Sequence, residues 1–411
     1  MRFSSLPGAL LALLAACSAD PPYQLDDRPP CPALGAPCDA QPGASAAVTA
    51  PVTVAPGDAL PPEVVSQLAH NNLDVVWHRG RLFFAFRTAP YHFASPDTAL
   101  YVVSTADQEH WTFETTIAIG TDLREPRFLA IGEQLFLYAA VLGKNVGFFE
   151  PQYTLVSEYL GPAEWSEPER VLDDGFIAWR TRTLDGVPTV FGYVGGENIY
   201  ETDGEPVRVS WLTTEDGRAF SPAVPDQPVV LEGGTSETDA VRLDDGALIA
   251  VSRNELGDEL GWGSKICRAA ADAPGDWQCA ADPRKYDSPL MFRHRGDVYL
   301  IARRQVTETG HYDLEERDLS PEDQTSEYEF EYWITPKRCA LWKVDPEALT
   351  VDWVLDLPSA GDTCFPGLVE LGEGRYLVYD YTSPLDGDLD ISWMEAQFGP
   401  TEIHWLTLTL P

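Results

Sequence analysis

Glu237 and Arg253 stand 16 positions apart, near the two ends of the run SETDAVRLDDGALIAVSR (236 to 253). Between them lie an apolar stretch (240 to 243), an Asp-Asp-Gly turn and a second apolar stretch (247 to 251). An antiparallel hairpin of that form brings the chain back to the sheet edge where it began. The carboxylate and the guanidinium are therefore predicted to meet at one end of a sheet. A carboxyl group can move a proton, and arginine's planar fork matches carboxylates and phosphates bidentately.

The element that positions this pair recurs. Hairpins with glycine in the turn are predicted over 73–87, 125–139, 176–193, 237–253, 287–303 and 364–381. Their turn glycines follow one another at intervals of 52, 54, 60, 50 and 78 residues. A four-stranded propeller blade needs roughly 40 to 50 residues, so each interval fits one blade with modest insertions. Seven residues beyond each glycine, where the second strand ends, stand Arg87, Ala139, Tyr193, Arg253, Arg303 and Tyr381. Arginines and tyrosines at equivalent places around a channel suit an anionic or polyhydroxylated ligand. The same arginines are equally suited to pair with acidic neighbours and tie blades together.

The first strands start at His70-Asn71-Asn72, Arg124-Glu125, Trp179-Arg180, Glu237 with Asp239, Tyr286-Asp287 and Asp362-Thr363. Arg124 joins the ligand-binding set. Carboxylates on this face meet the need of glycoside cleavage for two acids flanking the bond. Asp74 and Asp239 recur at one repeat position inside their strands, which marks them as structural.

The fold class expected is all-β, a six-bladed β-propeller of four-stranded antiparallel blades. Aromatic residues with 32 Gly and 34 Pro suit short strands and many turns. The domain organisation reads as a signal peptide (1–16), a Pro- and Ala-rich tether (17–60) and the propeller (61–411). Residues 45 to 56 read as a β-like lead-in, and the ring-closing strand is not specified. The acidic run 312–333 is expected as a solvated loop inserted in the fifth blade. Asp386-Gly387-Asp388-Leu389-Asp390 reads as an exposed turn rather than a calcium loop. No metal and no cofactor is expected.

Asp and Glu number 65 against 28 Lys and Arg, a net charge of −37. Phosphate backbones demand the opposite sign, so nucleic acid is excluded as a partner. The first residues have one positive charge, Arg2, and an apolar run from Leu6 to Ala16 that is too short to span a bilayer. The run ends in Leu14-Ala15-Ala16-Cys17, which resembles the lipobox of bacterial lipoproteins. That resemblance implies lipidation at Cys17, and Ser18 implies the outer membrane. The lipid is the only membrane attachment expected, and the protein is read as a monomer. Six cysteines remain in an oxidising compartment. Order and proximity suggest Cys31 with Cys38, Cys267 with Cys279 and Cys339 with Cys364, among 15 arrangements that six cysteines allow.

Two segments, Thr105-Ala106-Asp107-Gln108-Glu109-His110-Trp111 and Thr214-Glu215-Asp216-Gly217-Arg218-Ala219-Phe220, resemble the Asp-box turn. The first lacks the usual glycine, and the second has Phe in place of Trp. With the six-fold repeat and the Ser236-Glu237…Arg253 unit, they resemble the sialidase-like propeller superfamily over roughly residues 65 to 410. The resemblance implies an arginine triad on a sugar carboxylate, a tyrosine nucleophile activated by a glutamate, and an aspartate acid/base. It assigns Glu237 as the glutamate, Arg253 and Arg303 as arginines, and Asp97 as the aspartate.

Two positions depart from that pattern. Asn71-Asn72-Leu73 stands where the family has Arg-Ile-Pro, and Phe365 stands at the tyrosine position. Arg87 and Tyr381 are the nearby substitutes. Glu125-Pro126 and Asp287-Ser288-Pro289 are similar to strand starts of five-bladed glycoside hydrolases, but six repeats argue against that family. The expected function is a cell-envelope lipoprotein with a glycan-directed propeller, either a divergent glycoside hydrolase or a non-catalytic binder of a glycan or protein. Cys17→Ser is expected to move the protein from the detergent to the aqueous phase in a Triton X-114 partition. Unchanged partitioning would remove the lipid anchor.

Overall fold

The computed structural model describes residues 25–26, 45–199 and 204–411. Cys17, Cys31 and Cys38, with the signal peptide and most of the tether, lie outside the described residues. Six sheets form the blades of a propeller, antiparallel except where Leu25–Asp26 pairs in parallel with Ala47–Thr49 on the edge of the sixth. Their innermost hairpins are Ala69–His78 with Arg81–Ala89, Leu123–Ile131 with Gln134–Leu142, and Ile177–Leu184 with Val187–Val194. The remaining three are Thr235–Arg242 with Leu248–Asn254, Leu290–His294 with Asp297–Gln305, and Gly367–Gly372 with Arg375–Thr382. In blades two, three and six the outermost position is divided between two short strands.

The hairpins form where the sequence supplies mirror-image turns. Asp185 and Gly186 have φ of 50° and 81°, and Arg295 and Gly296 have 49° and 89°. Positive φ at both central residues is the type I′ turn, whose twist matches that of paired strands. Nearly every residue in the second strands is buried, as in Arg375–Thr382. These strands have blades packed on both faces, so they read as continuous apolar runs.

Two segments far apart in sequence close the ring. Glu402–Thr409, the third strand of blade six, pairs with Ala47–Thr49 and Val52–Ala55 on its outer edge. Val48 is fully buried among Leu290, Tyr376 and Leu408. The sixth blade therefore takes in residues whose composition reads as tether. The strand that closes the ring comes from 47–55, and the 402–410 segment is its partner.

Aspartates fasten neighbouring blades. Asp74 Oδ2 accepts from the Phe128 N–H at 2.7 Å, and Asp239 Oδ2 from the Met291 N–H at 2.7 Å. Each carboxylate reaches the inner strand of the next blade, which is the structural role read from their recurrence. Two disulfides are present among the described residues, Cys267–Cys279 across an outer strand pair and Cys339–Cys364 between blades five and six.

The acidic run 312–333 is not the solvated loop expected. Pro321–Ile334 forms a helix, α1, between the second and third strands of blade five. Ser320 caps it, accepting from the Asp323 N–H at 3.1 Å, and Pro321 begins it. Tyr312, Tyr328 and Tyr332 are buried around Trp262, and this aromatic anchorage outweighs the acidic composition. A short second helix, α2 (Trp393–Ala396), lies beside α1. Asp390 pairs with Arg338 at 2.9 Å and its N–H donates to Asp388, so the 386–390 run is a turn.

Ring closure yields a stability prediction. Val48→Asp places a carboxylate in the closing contact, where burying an unpaired charge is expected to cost about 3–4 kcal/mol. Urea denaturation followed by tryptophan fluorescence measures it. A loss below about 1 kcal/mol would mean the ring does not depend on this strand.

Candidate functional site

The inner strands are irregular where they enter the channel. Register slips between Asn71 and Leu73, Arg124 and Arg127, Ala178 and Arg180, and Thr235 and Thr238. Asn72, Glu125, Ser288 and Cys364 adopt left-handed φ of 42°, 52°, 55° and 78°. A bulge takes a side chain out of the in-out alternation and re-aims it. Left-handed backbone at a non-glycine residue costs of order 1–3 kcal/mol and persists where the surroundings enforce it.

The re-aimed residues wall a cavity of about 100 Å³. Of the eight residues the sequence assigned to ligand or chemistry, Arg124, Tyr193, Glu237, Arg253, Arg303 and Tyr381 line this one space. They come from blades two to six. Below them Arg127 is wedged between aromatic rings, its guanidinium carbon 4.2 Å from the Phe365 centroid and 5.0 Å from that of Trp179. Burial brings the Arg127 pKa down to about 9. Phe365, where the sialidase resemblance leads one to expect tyrosine, is thus the partner of a buried cation.

The predicted end-on meeting of Glu237 and Arg253 is present. Arg253 Nη1 lies 2.8 Å from Glu237 Oε1, its Nη2 3.2 Å from Glu255, and its Nε donates to Ser236 Oγ at 3.0 Å. Burial raises the Glu237 pKa to about 7, against the pull of Arg253. Glu125 is also raised by burial, and its contacts are with the Asn72 amide at 3.4 and 3.5 Å. Asp287 goes the other way, to about 2, because Lys285, Arg253 and Arg303 outweigh its burial. Arg303 Nη1 meets Asp287 at 2.9 Å, and its Nε donates to the Thr363 carbonyl at 2.7 Å.

A second chain of charges fastens α1 to this floor. Lys285 is nearly inaccessible and lies 2.8 Å from Glu255 and 3.0 Å from Glu329 of α1. The Tyr332 hydroxyl donates to Asp287 at 2.8 Å. Both readings of the arginines therefore apply to the same residues. They line a cavity and they join blades.

Arg87 and Asp97 stand elsewhere. Arg87 is fully buried and pairs with Asp122 at 2.7 Å. Its Nη2 donates to the Phe93 carbonyl at 2.9 Å and its Nη1 to that of Tyr91 at 3.4 Å. It holds the 91–98 loop instead of facing a ligand. Asp97 is exposed on the outside of that loop, its carbonyl accepting from Gln67 at 2.8 Å.

His92, from the same loop, does reach the cavity. Its Nδ1 lies 2.7 Å from Asp362 Oδ2, and Tyr381 donates to Asp362 Oδ1 at 2.9 Å. Burial raises the Tyr381 pKa well above its usual value, so the hydroxyl keeps its proton at neutral pH. No sequence signal marks His92, because its partner is 270 positions away.

A cleft of about 670 Å³ adjoins the cavity and shares His92, Arg124, Phe149 and Trp393 with it. Phe93, Phe148, Trp333 and Phe398 wall it, and Phe148 and Phe398 are 66% and 62% exposed. Sequence reading missed this wall, which depends on α1 and α2. Asn72 Oδ1 and Trp179 Nε1, both lining the cavity, are buried without a hydrogen-bond partner.

Arg87 supplies a clean test of position against ligand contact. Arg87→Ala leaves Asp122 buried with one partner fewer and is expected to cost about 3–5 kcal/mol of stability. Arg253→Ala leaves the buried Glu237 and Glu255 short of a partner, so it is expected to cost a similar amount and, in addition, to weaken binding of any anion that enters the cavity. Thermal denaturation beside calorimetric titration compares them. An Arg87→Ala protein as stable as the parent would contradict the anchoring role.

No protein-family model matches the chain, and no curated protein matches it in sequence. Solved structures resemble it in fold. A protein of unknown function from Dyadobacter fermentans superposes with a TM-score of 0.59 at 14% identity, over 90% of this chain and 100% of that one. A mutant of Trypanosoma rangeli sialidase displaying trans-sialidase activity gives 0.56 at 12% identity, over 90% of this chain and 59% of that one. The same sialidase in complex with the inhibitor DANA gives 0.53 at 12% identity, covering 82% and 55%. The chain thus spans less than two thirds of the sialidase chains it matches, and at these identities the likeness is one of fold. The protein has a sialidase-like six-bladed propeller.

Proposed function

We propose that the channel face is a glycan site and that the protein is a divergent glycoside hydrolase of the cell envelope, held there by a lipid on Cys17. One observation carries this reading. Arg124, Arg253 and Arg303 converge with Glu125 and Glu237 on a single cavity that opens into an aromatic cleft. Ligand sites are typically clefts of about 300–1,000 Å³ with aromatic walls and a few placed polar groups. The charged cavity alone is too small, and the cleft is of the right size. An acidic group of the sugar therefore enters the charged cavity with the anomeric centre at the cavity's mouth, and the rest of the glycan lies against the cleft's rings. Glu237, with a pKa raised to about 7, is protonated in about half of the molecules at neutral pH, which poises it to act as a general acid.

A binding-only propeller is the second reading, and one observation favours it. The Glu237–Arg253 and Asp287–Arg303 pairs already satisfy much of each arginine. A panel of aryl glycosides of acidic sugars, sialosides and uronides included, tests both readings. Turnover of at least one member is expected, falling by about 10²–10⁴ in Glu237→Gln. Binding without turnover would establish the second reading. Neither turnover nor binding across the panel would remove the glycan proposal.

A further inference from the structure

His92 is held more firmly than a loop residue outside the chemistry needs to be. Its N–H donates to the Gln397 carbonyl at 3.2 Å, and its own carbonyl accepts from Arg124 Nη2 at 2.7 Å. Arg87 grips the carbonyls on either side, at Tyr91 and Phe93. The imidazole stands edge-on to Trp393, with centroids 6.4 Å apart at 75°. Its partner is equally fixed. Asp362 is fully buried, and its Oδ1 accepts from Tyr381 at 2.9 Å and Trp393 Nε1 at 3.3 Å.

A carboxylate 2.7 Å from Nδ1 fixes the tautomer. Nδ1 carries the hydrogen, and Nε2 is the ring nitrogen left for a ligand. The ring lines both the charged cavity and the aromatic cleft, so it stands at the junction of the two parts of the proposed glycan. Glu237 is on blade four, opposite blade one in a ring of six.

We propose that His92, oriented by Asp362, is the general base of the site, and that it delivers water directly to the sugar with no covalent sugar–protein intermediate. This rests on the hydrolase reading above. In the step, a proton of the water passes to His92 Nε2 while the water oxygen bonds to the anomeric carbon. The glycosidic C–O bond breaks, and the leaving oxygen takes the proton held by Glu237. His92 then returns its proton to solvent and Glu237 regains one. The net reaction is one water consumed and two hydroxyl products formed. Attack from the face opposite the leaving group inverts the anomeric configuration.

The charges around the ring suit a base. Asp362 and Tyr381 face it from blade six, Arg124 with Asp122 from blade two, Arg87 from its own blade, and Glu329 across the cleft from α1. Burial, with Arg124 and Arg87, lowers the His92 pKa and outweighs Asp362. The imidazole is therefore neutral at pH 7.

Three measurements on the full protein test the assignment. Long-range ¹⁵N–¹H NMR of the imidazoles, with the His92 signal identified by its loss in His92→Gln, is expected to show an Nδ1–H tautomer that Asp362→Asn abolishes. ¹H NMR of freshly released sugar from any aryl glycoside turned over is expected to show inversion. In the same assay His92→Gln is expected to lower kcat by about 10²–10⁴ with KM within a few-fold, and to remove the acid limb of the pH profile. Asp362→Asn is the second variant, should His92→Gln fold poorly. An Nε2–H tautomer, retained configuration or an unchanged acid limb overturns the His92 proposal while the hydrolase reading stands. An Nδ1–H tautomer with no glycoside turned over overturns the hydrolase reading and, with it, the catalytic role of His92.

Discussion

The structure depends on one contact, the pairing of 47–55 with 402–409 in the sixth blade. A propeller's ring closes when the edge of its last blade is completed by a strand from the other end of the chain. Closure sets blade six against blade one, and the 91–98 loop against the start of the last inner strand. The His92–Asp362 pair exists because of that junction. So does the Thr401 hydroxyl, which accepts from the His70 N–H at 2.8 Å and bridges the same two blades. An open ring would leave the proposed site without its base, although every residue of it would still be present.

The second constraint is electrostatic. A chain carrying −37 overall gathers Arg124, Arg253 and Arg303 around one cavity, with Lys285 in the adjoining ion-pair network. Removing such groups from water is expensive unless each is paired and hydrogen-bonded. The acids Glu237, Glu255, Asp287 and Glu329 meet that requirement, and in doing so they join blades four and five and α1 into one network. Cavity-lining residues and blade-joining residues are thus the same residues. An incoming anion would compete with carboxylates already in place.

Much of the fold was legible because it repeats. Turn glycines at near-blade intervals carried the number of blades, and the recurrence of Asp74 and Asp239 marked them as structural. Counting from those glycines also placed Tyr193, Arg253, Arg303 and Tyr381 on one cavity. The same count misplaced Arg87, because the position says which end of a strand a residue occupies and nothing about which acid claims it. Asp97 was drawn from family spacing along a loop, and loops turn. The 47–55 strand was half legible, since its β-like character could be read but its partner about 350 residues away could not. Helix α1 was legible in principle. Ser320-Pro321-Glu322-Asp323 is a helix start by its cap, its proline and its acids, and the acidic composition obscured it.

The closing strand has a consequence for how the chain is made. Segment 47–55 emerges early in synthesis, and its partner strand emerges about 350 residues later, roughly 20 to 70 s afterwards at about 5–20 residues per second. Throughout that interval blade one has an unfilled neighbour on one side, and the 47–55 strand is an orphan edge. The earlier blades can stack pairwise, but the ring cannot lock until the last strand arrives. The nascent chain is therefore most exposed to edge pairing with other chains just before the 402–409 strand emerges. A chaperone that shields one early strand would protect the whole molecule.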